Sequence, residues 1–140
     1  MAEWKITYRG IVYPRHCDQM GHMNVMWYAG KFDEACWQLL AMLGLHPSRF
    51  AQDGTGMAAV EQHIQYKREL HAGDAVTVQS ALSEVKAKSI HMLHKQQVGS
   101  QLAQVRQAFH DYHCYKVYCF PSATPTPPPA KNIHQTKNKK

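Results

Sequence analysis

The period of the apolar residues changes once, near residue 24, and that change limits the fold more than any other feature of the chain. Before it, Trp4, Ile6, Tyr8 and Val12 alternate with Lys5, Thr7 and Arg9, the period-two pattern of a half-buried strand ending near Pro14. After it, Tyr28, Phe32, Ala35, Cys36, Leu39 and Leu43 recur at steps of three and four, the stripe of a helix buried along one side. Asn24 suits the N-cap, where a side-chain oxygen accepts from an unpaired N–H of the first turn. Gly44 suits the residue past the end, where a left-handed backbone is needed. A helix over Val25–Leu43, nineteen residues, would run roughly 28 Å. Gly30 inside it costs about 1 kcal/mol relative to alanine, which predicts close packing at that point.

Beyond the helix the pattern returns to strands. Residues 46–56, "HPSRFAQDGTG", read as turns. In "MAAVEQHIQYKREL", Ala58, Val60, Ile64, Tyr66 and Leu70 alternate with Glu61, His63, Gln65, Lys67 and Glu69. "HAGD" then turns the chain into a partner strand carrying Val76, Val78 and Leu82. "KSIHMLHKQQV" and "QLAQVRQAFHDYH" read as two more strands about a Gly99–Ser100 turn. The expected order is strand, long helix, then an antiparallel meander of four strands: an α+β layout in which one sheet wraps one helix and leaves an edge that needs a partner. Residues 121–140 are Pro-rich and then Lys/Asn-rich with almost nothing to bury, so the expected division is a domain over 1–120 and a disordered tail over 121–140.

Charge and cysteines exclude several classes. The net charge of +6 tempts one toward nucleic acid, but Lys131, Lys137, Lys139 and Lys140 lie in the acid-free tail. Residues 1–120 keep +2, twelve basic against ten acidic, and carry no nucleic-acid-reading motif. Cys17, Cys36, Cys114 and Cys119 form no CxxC pair, so reduced thiols are expected, and "MAEWKITYRG" shows no basic-then-apolar signal pattern, so a cytoplasmic location is expected. No run of eighteen apolar residues suggests a membrane span.

The stretch around the change of period carries a resemblance. "DQMGHMNVMWY", residues 18–28, resembles the D-x-x-G-H-V-N-N-x-x-Y signature of hotdog-fold acyl-CoA thioesterases of the 4-hydroxybenzoyl-CoA thioesterase type. "IQYKRELHAGDAVTVQS" and "EVKAKSIHMLHK" are similar to two further blocks of that family, and together the similarity covers residues 4–106. Val25 stands where the family has a second Asn, and "QAFHDYHCYKVYCFPS" departs from its closing strand. The resemblance implies a hotdog fold and hydrolysis of an acyl-CoA to acid and CoA without metal or other cofactor. It also implies a homodimer or homotetramer with sites at the subunit interface.

Thioester hydrolysis needs a group that attacks or activates water, and a donor for the oxyanion. A helix N-terminus offers unpaired N–H groups and a positive dipole end. Carried over by position, Asp18 becomes the base or nucleophile and the backbone N–H of Val25 the oxyanion donor, with His22 and Asn24 beside them. On spacing alone Asp18 reads as a solvated or capping residue, His22 as structural, Asn24 as a cap and Tyr28 as packing with a minority role in an acyl pocket. Glu61 reads first as a solvated strand residue that an opposing subunit could present to the site. Lys86, Lys88 and Ser89 match the family's CoA-contacting segment, where cations suit phosphates; otherwise they are an ordinary basic hairpin.

A metal is not expected. His91 and His94, three apart on a strand, face opposite sides, and His110, His113 and Cys114 lack a full ligand set. Two rival functions remain. A hotdog enoyl-CoA hydratase or dehydratase would need a His and helix-acid pair, for which only His22 and Glu34 are candidates. A non-catalytic acyl-CoA binding or sensing module would lack turnover altogether.

Overall fold

Helix α1 spans Val25–Met42, and its start and stop follow local chemistry. Asn24 holds an extended backbone while its Oδ1 accepts from the Met26 N–H at 3.0 Å, satisfying one of the orphan donors of the first turn. Leu43 caps the other end, and Gly44 turns the chain away at φ 77°, a left-handed conformation that favours glycine. The computed structural model describes residues 3–99 and 111–121, the latter by backbone alone.

Around α1 lie β1 (Lys5–Ile11), α2 (Pro47–Asp53), β2 (Thr55–Ile64), β3 (Ala75–Val85), β4 (Ser89–Val98) and β5 (Asp111–Pro121). The strands form one antiparallel sheet in the order β1-β3-β4-β5-β2. Tyr28, Phe32, Ala35, Cys36, Leu39 and Leu40 bury the helix stripe against one face of that sheet. α1 runs antiparallel to β4: Cys36 Sγ meets Met92 Sδ at 3.9 Å, and one turn earlier the Phe32 ring lies 6.0 Å from that of His94. Four helical residues and two strand residues advance the chain by similar lengths, about 6 and 7 Å, which keeps the two elements in step.

Three expectations are corrected. β2 pairs with β5 and lies at the far edge of the sheet, so the expected hairpin with β3 does not form. β3 already has β1 on one side and β4 on the other. The alternation of residues 57–70 misled because it outlasts the strand: β2 stops at Ile64, and Leu70 is buried because its carbonyl takes the Met23 N–H at 2.7 Å, beneath the helix start. The "HAGD" turn is real, with Asp74 Oδ2 accepting from His71 N–H at 2.9 Å and Gly73 at φ 99°, but it feeds a crossing loop into β3.

The second correction is α2, expected as turns. Pro47 sits in its first turn, Gly54 ends it at φ 62°, and Arg49 pairs with Asp53 one turn on at 3.5 Å. The third is Gly30: it is exposed, and a Cβ there would meet nothing within 4 Å. Close packing is not the reason for this glycine. Of the last expected strand, residues 101–110 lie outside the described residues, as do 122–140 of the tail, and the strand that pairs with β4 is Asp111–Pro121.

Candidate active site

The loop before α1 is a short hairpin closed on itself. Asn24 N–H donates to the His16 carbonyl at 2.9 Å, Asp18 N–H to His22 at 3.1 Å, and Gly21 N–H to Asp18 at 3.0 Å. Gly21 takes φ 81°, which explains a glycine three residues after the aspartate. Within this turn both carboxylate oxygens of Asp18 are used: Oδ1 accepts from Met20 N–H at 2.9 Å and Oδ2 from Asn24 Nδ2 at 3.0 Å. These hydrogen bonds, the Met20 amide first and the Asn24 side chain second, hold the carboxyl below the usual carboxylate range, so Asp18 is ionised at neutral pH. Asn24 therefore does two things with one amide, capping α1 through Oδ1 and bracing Asp18 through Nδ2.

Behind the loop, His16 is buried with its ring centroid 4.3 Å from that of Trp27, and its Nδ1 accepts from Tyr13 N–H at 3.0 Å. Burial first, then the nearby Lys31 and Arg15 charges, lower its pKa and keep it neutral. Lys31 is buried against β1, its Nζ donating to Tyr8 Oη at 2.8 Å. Neither residue stood out in the sequence.

Beside the helix start lies an open cavity of about 660 Å³. His22, Met23, Val25 and Tyr28 line one side, and Tyr66, Lys67, Arg68, Glu69 and His71 of the β2–β3 loop line the other. Tyr28 joins the sides: its hydroxyl donates to the Arg68 carbonyl at 3.0 Å, and its ring meets Tyr66 edge-on with centroids 5.3 Å apart. His22 Nε2 stands 3.8 Å from a Glu69 carboxylate oxygen. The N–H of Val25, first residue of α1, has no acceptor among the described residues, since Asn24 serves Met26 and Trp27 instead.

Of the expected site residues, the fold thus gathers Asp18, His22, Asn24, Val25 and Tyr28 at one end of α1. The rest lie elsewhere in the chain. Glu61 is exposed on β2 opposite Lys116 and does not line the cavity. Lys86 and Lys88 lie in the β3–β4 turn and Ser89 is the first residue of β4; Lys86 pairs with Glu84 at 3.1 Å. That turn is the length of β3 away from the cavity loop, roughly 30 Å. Within one chain Lys86, Lys88 and Ser89 do not reach the cavity at the start of α1. Tyr66, Lys67 and Arg68 were missed as site residues because they read as the end of a strand, and His71 because it read as part of the turn that follows.

Among the described residues, no three His, Cys, Asp or Glu side chains come together as a metal site. His94 Nδ1 instead meets Ser80 Oγ at 2.5 Å in the core, and His91 lies 3.9 Å from Glu84 on the opposite face. Among the described residues, no helix is long and apolar enough to cross a membrane.

A profile of the thioesterase-like superfamily matches residues 12–129, most of the chain. The chain belongs to this superfamily. Thioesterase-like relatives of known sequence include the betainyl-CoA thioesterase of Pseudomonas aeruginosa, 28% identical over 94 residues. That match covers 67% of this chain and 59% of the relative. An L-carnitine dehydrogenase/betainyl-CoA thioesterase of Ruegeria pomeroyi is 26% identical over 92 residues, 66% of this chain and 19% of that protein. The chain thus spans about three fifths of one curated relative and about a fifth of the other. Among solved structures, a Staphylococcus aureus protein in complex with CoA superposes with a TM-score of 0.73 at 16% identity, covering 84% of this chain and 71% of that one. A gentisyl-coenzyme A thioesterase gives 0.69 at 24% identity, covering 82% and 87%. These likenesses establish the fold: the antiparallel sheet packed on α1 is the hotdog arrangement of thioesterases.

Proposed function

We propose that the chain is an acyl-CoA thioesterase, hydrolysing a thioester with water to the free acid and CoA. The observation that carries this reading is an ionised Asp18, braced by Met20 and by Asn24, the residue next to Val25, whose acceptor-free N–H opens α1 beside the cavity that Val25 lines. A thioester carbonyl against the first turn of α1 is polarised by that N–H and by the positive end of the helix, and the charge that develops on its oxygen in the transition state is stabilised more than the ground state. Asp18 either attacks the carbonyl carbon or takes a proton from the attacking water. Both roles need the ionised form, and each carboxylate oxygen keeps a second lone pair beyond the bond it already accepts. With Asp18 as base, the C–S bond of the hydrated carbonyl breaks and the proton taken from water goes to the departing CoA sulfur. With Asp18 as nucleophile, the C–S bond breaks to leave an acyl–Asp18 anhydride. Water hydrolyses it to the free acid and the regenerated carboxylate, while a proton from that water goes to the CoA thiolate.

The working enzyme is proposed as a homodimer or homotetramer. Among the described residues β2 has one edge open and none of its side chains buried, and Asp18 does not itself line the cavity of the single chain. A partner subunit supplies the missing wall, and brings Glu61 or the Lys86, Lys88 and Ser89 turn to the CoA side of the site. The hydratase reading finds no support, since Glu34 is exposed on α1 and His22 faces Glu69. Free-thiol release from a mixed panel of acyl-CoA thioesters tests the proposal. Turnover that depends on Asp18 is expected; saturable binding with no thiol release would identify a sensing module instead.

A further inference from the structure

We propose that the cavity accepts an acyl group carrying a carboxylate, so that the preferred substrate class is the CoA monothioester of a dicarboxylic acid; this rests on the thioesterase reading above. Lys67 and Arg68 line the cavity beside Glu69, whose carboxylate is 3.8 Å from His22. The first turn of α1 adds a positive dipole end on the facing side. Arg68 does not ride on a free loop tip, because its carbonyl accepts from Tyr28 Oη at 3.0 Å and ties that residue to the helix. Tyr28 and Tyr66, edge-on at 5.3 Å, flank the space with apolar surface suited to a methylene stem.

The other source of negative charge is CoA itself. With the thioester carbonyl at Val25, however, the nearest CoA phosphate lies about a dozen bonds away along the pantetheine arm, roughly 16 Å when extended. A cavity of about 660 Å³ is roughly 9 Å across, within the range of a single small-ligand site. Its cations therefore meet the acyl end of the substrate and lie beyond the phosphates. A quaternary ammonium acyl group, the kind named for the betainyl-CoA relatives, would gain from the tyrosine rings but would meet both cations. A ring contact is weaker than a unit charge at the same distance.

The test compares three CoA thioesters of similar length, glutaryl-CoA, butyryl-CoA and betainyl-CoA, on the full chain at low and high salt. Glutaryl-CoA is expected to exceed butyryl-CoA in kcat/KM by about tenfold, as a charge-assisted hydrogen bond to Arg68 or Lys67 implies. Betainyl-CoA should be the poorest of the three. The glutaryl-to-butyryl ratio should fall several-fold in Arg68→Gln and in Lys67→Gln, and should shrink as salt rises. A preference for the neutral or cationic thioester overturns the inference while leaving thioesterase activity intact. Equal losses on glutaryl- and butyryl-CoA in the Arg68 variant also overturn it, since the cation would then be serving the CoA portion common to both. If none of the three releases thiol, the thioesterase reading fails, and equilibrium binding of the same three compounds decides the cavity's charge preference separately. Tenfold tighter binding of glutaryl-CoA that is lost in Arg68→Gln upholds it, and equal binding refutes it.

Discussion

Replacing Asn24 separates the two jobs that its side chain performs. Its Oδ1 caps α1 at the Met26 N–H and its Nδ2 braces Asp18, each at 3.0 Å. Asn24→Ala removes both. Loss of the cap costs about 1 kcal/mol, which for a domain of this size lowers Tm by about 4 °C. Asn24→Ser keeps a good cap and discards only the donor to Asp18, so its Tm should stay near that of the parent. Without the Nδ2 donor the Asp18 carboxylate loses the second of the hydrogen bonds that hold its pKa down, and the pKa moves up toward the ordinary range. Activity that needs ionised Asp18 is present above its pKa and lost below it, so the acid limb of the pH–rate profile should move to higher pH. Asn24→Asp keeps the cap but places a like charge against Asp18, and should move the limb further. Thermal denaturation and thiol release from acyl-CoA across pH 3–8 read the two effects independently. A Ser variant with an unshifted acid limb would show that the bond to Asp18 has no bearing on catalysis, and an Ala variant of unchanged Tm would refute the capping argument.

Three further outcomes are expected. Gly30→Ala should raise stability by about 0.5–1 kcal/mol, because the site is exposed with open space and alanine stiffens the unfolded chain; calorimetry showing a loss would mean a partner packs there in the assembly. Burial and the nearby Asp33 push the Cys36 thiol up to about 12, so its thiolate fraction at pH 8 is on the order of one in ten thousand. Native protein treated with iodoacetamide should leave the Cys36 peptide unmodified by mass spectrometry until it is unfolded. Asp18→Asn should retain substrate binding and lose turnover by ~10²–10⁴-fold at saturating acyl-CoA; near-normal turnover with an inactive Glu61→Gln would move the catalytic carboxylate to β2.

What could be read in advance followed the range of the interactions involved. α1 was legible to within a residue because its stripe, Asn24 cap and Gly44 terminator are all local signals. The turn that positions Asp18 rests on equally local signals, Gly21 at positive φ and Asn24 at the cap, both within six residues of it. Strand pairing was not. Nothing in residues 55–64 says that they pair with β5 rather than β3, because that choice depends on which edges β1 and β4 have already taken. α2 was hidden by Pro47 and Gly54, which signal turns as readily as helix ends. The cavity's second wall was missed for a related reason. Tyr66 and Leu70 keep a strand-like alternation while their backbone is irregular, and only the Met23–Leu70 and Tyr28–Arg68 hydrogen bonds bring that loop to the helix.

The central claim is that the backbone N–H of Val25 stabilises the oxyanion, and Val25→Pro tests it most directly. Proline is tolerated at the first position of a helix, where its missing N–H leaves no intrahelical bond unmade. Asn24 already holds φ −66° and ψ 144°, the extended conformation that a residue before proline requires. Val25 is 57% exposed, so its replacement sacrifices little burial. The variant should therefore fold with near-parental Tm and bind acyl-CoA, while kcat falls by ~10²–10³-fold, the usual effect of deleting one oxyanion donor. A folded Val25→Pro protein that turns over within a few-fold of the parent would contradict the account.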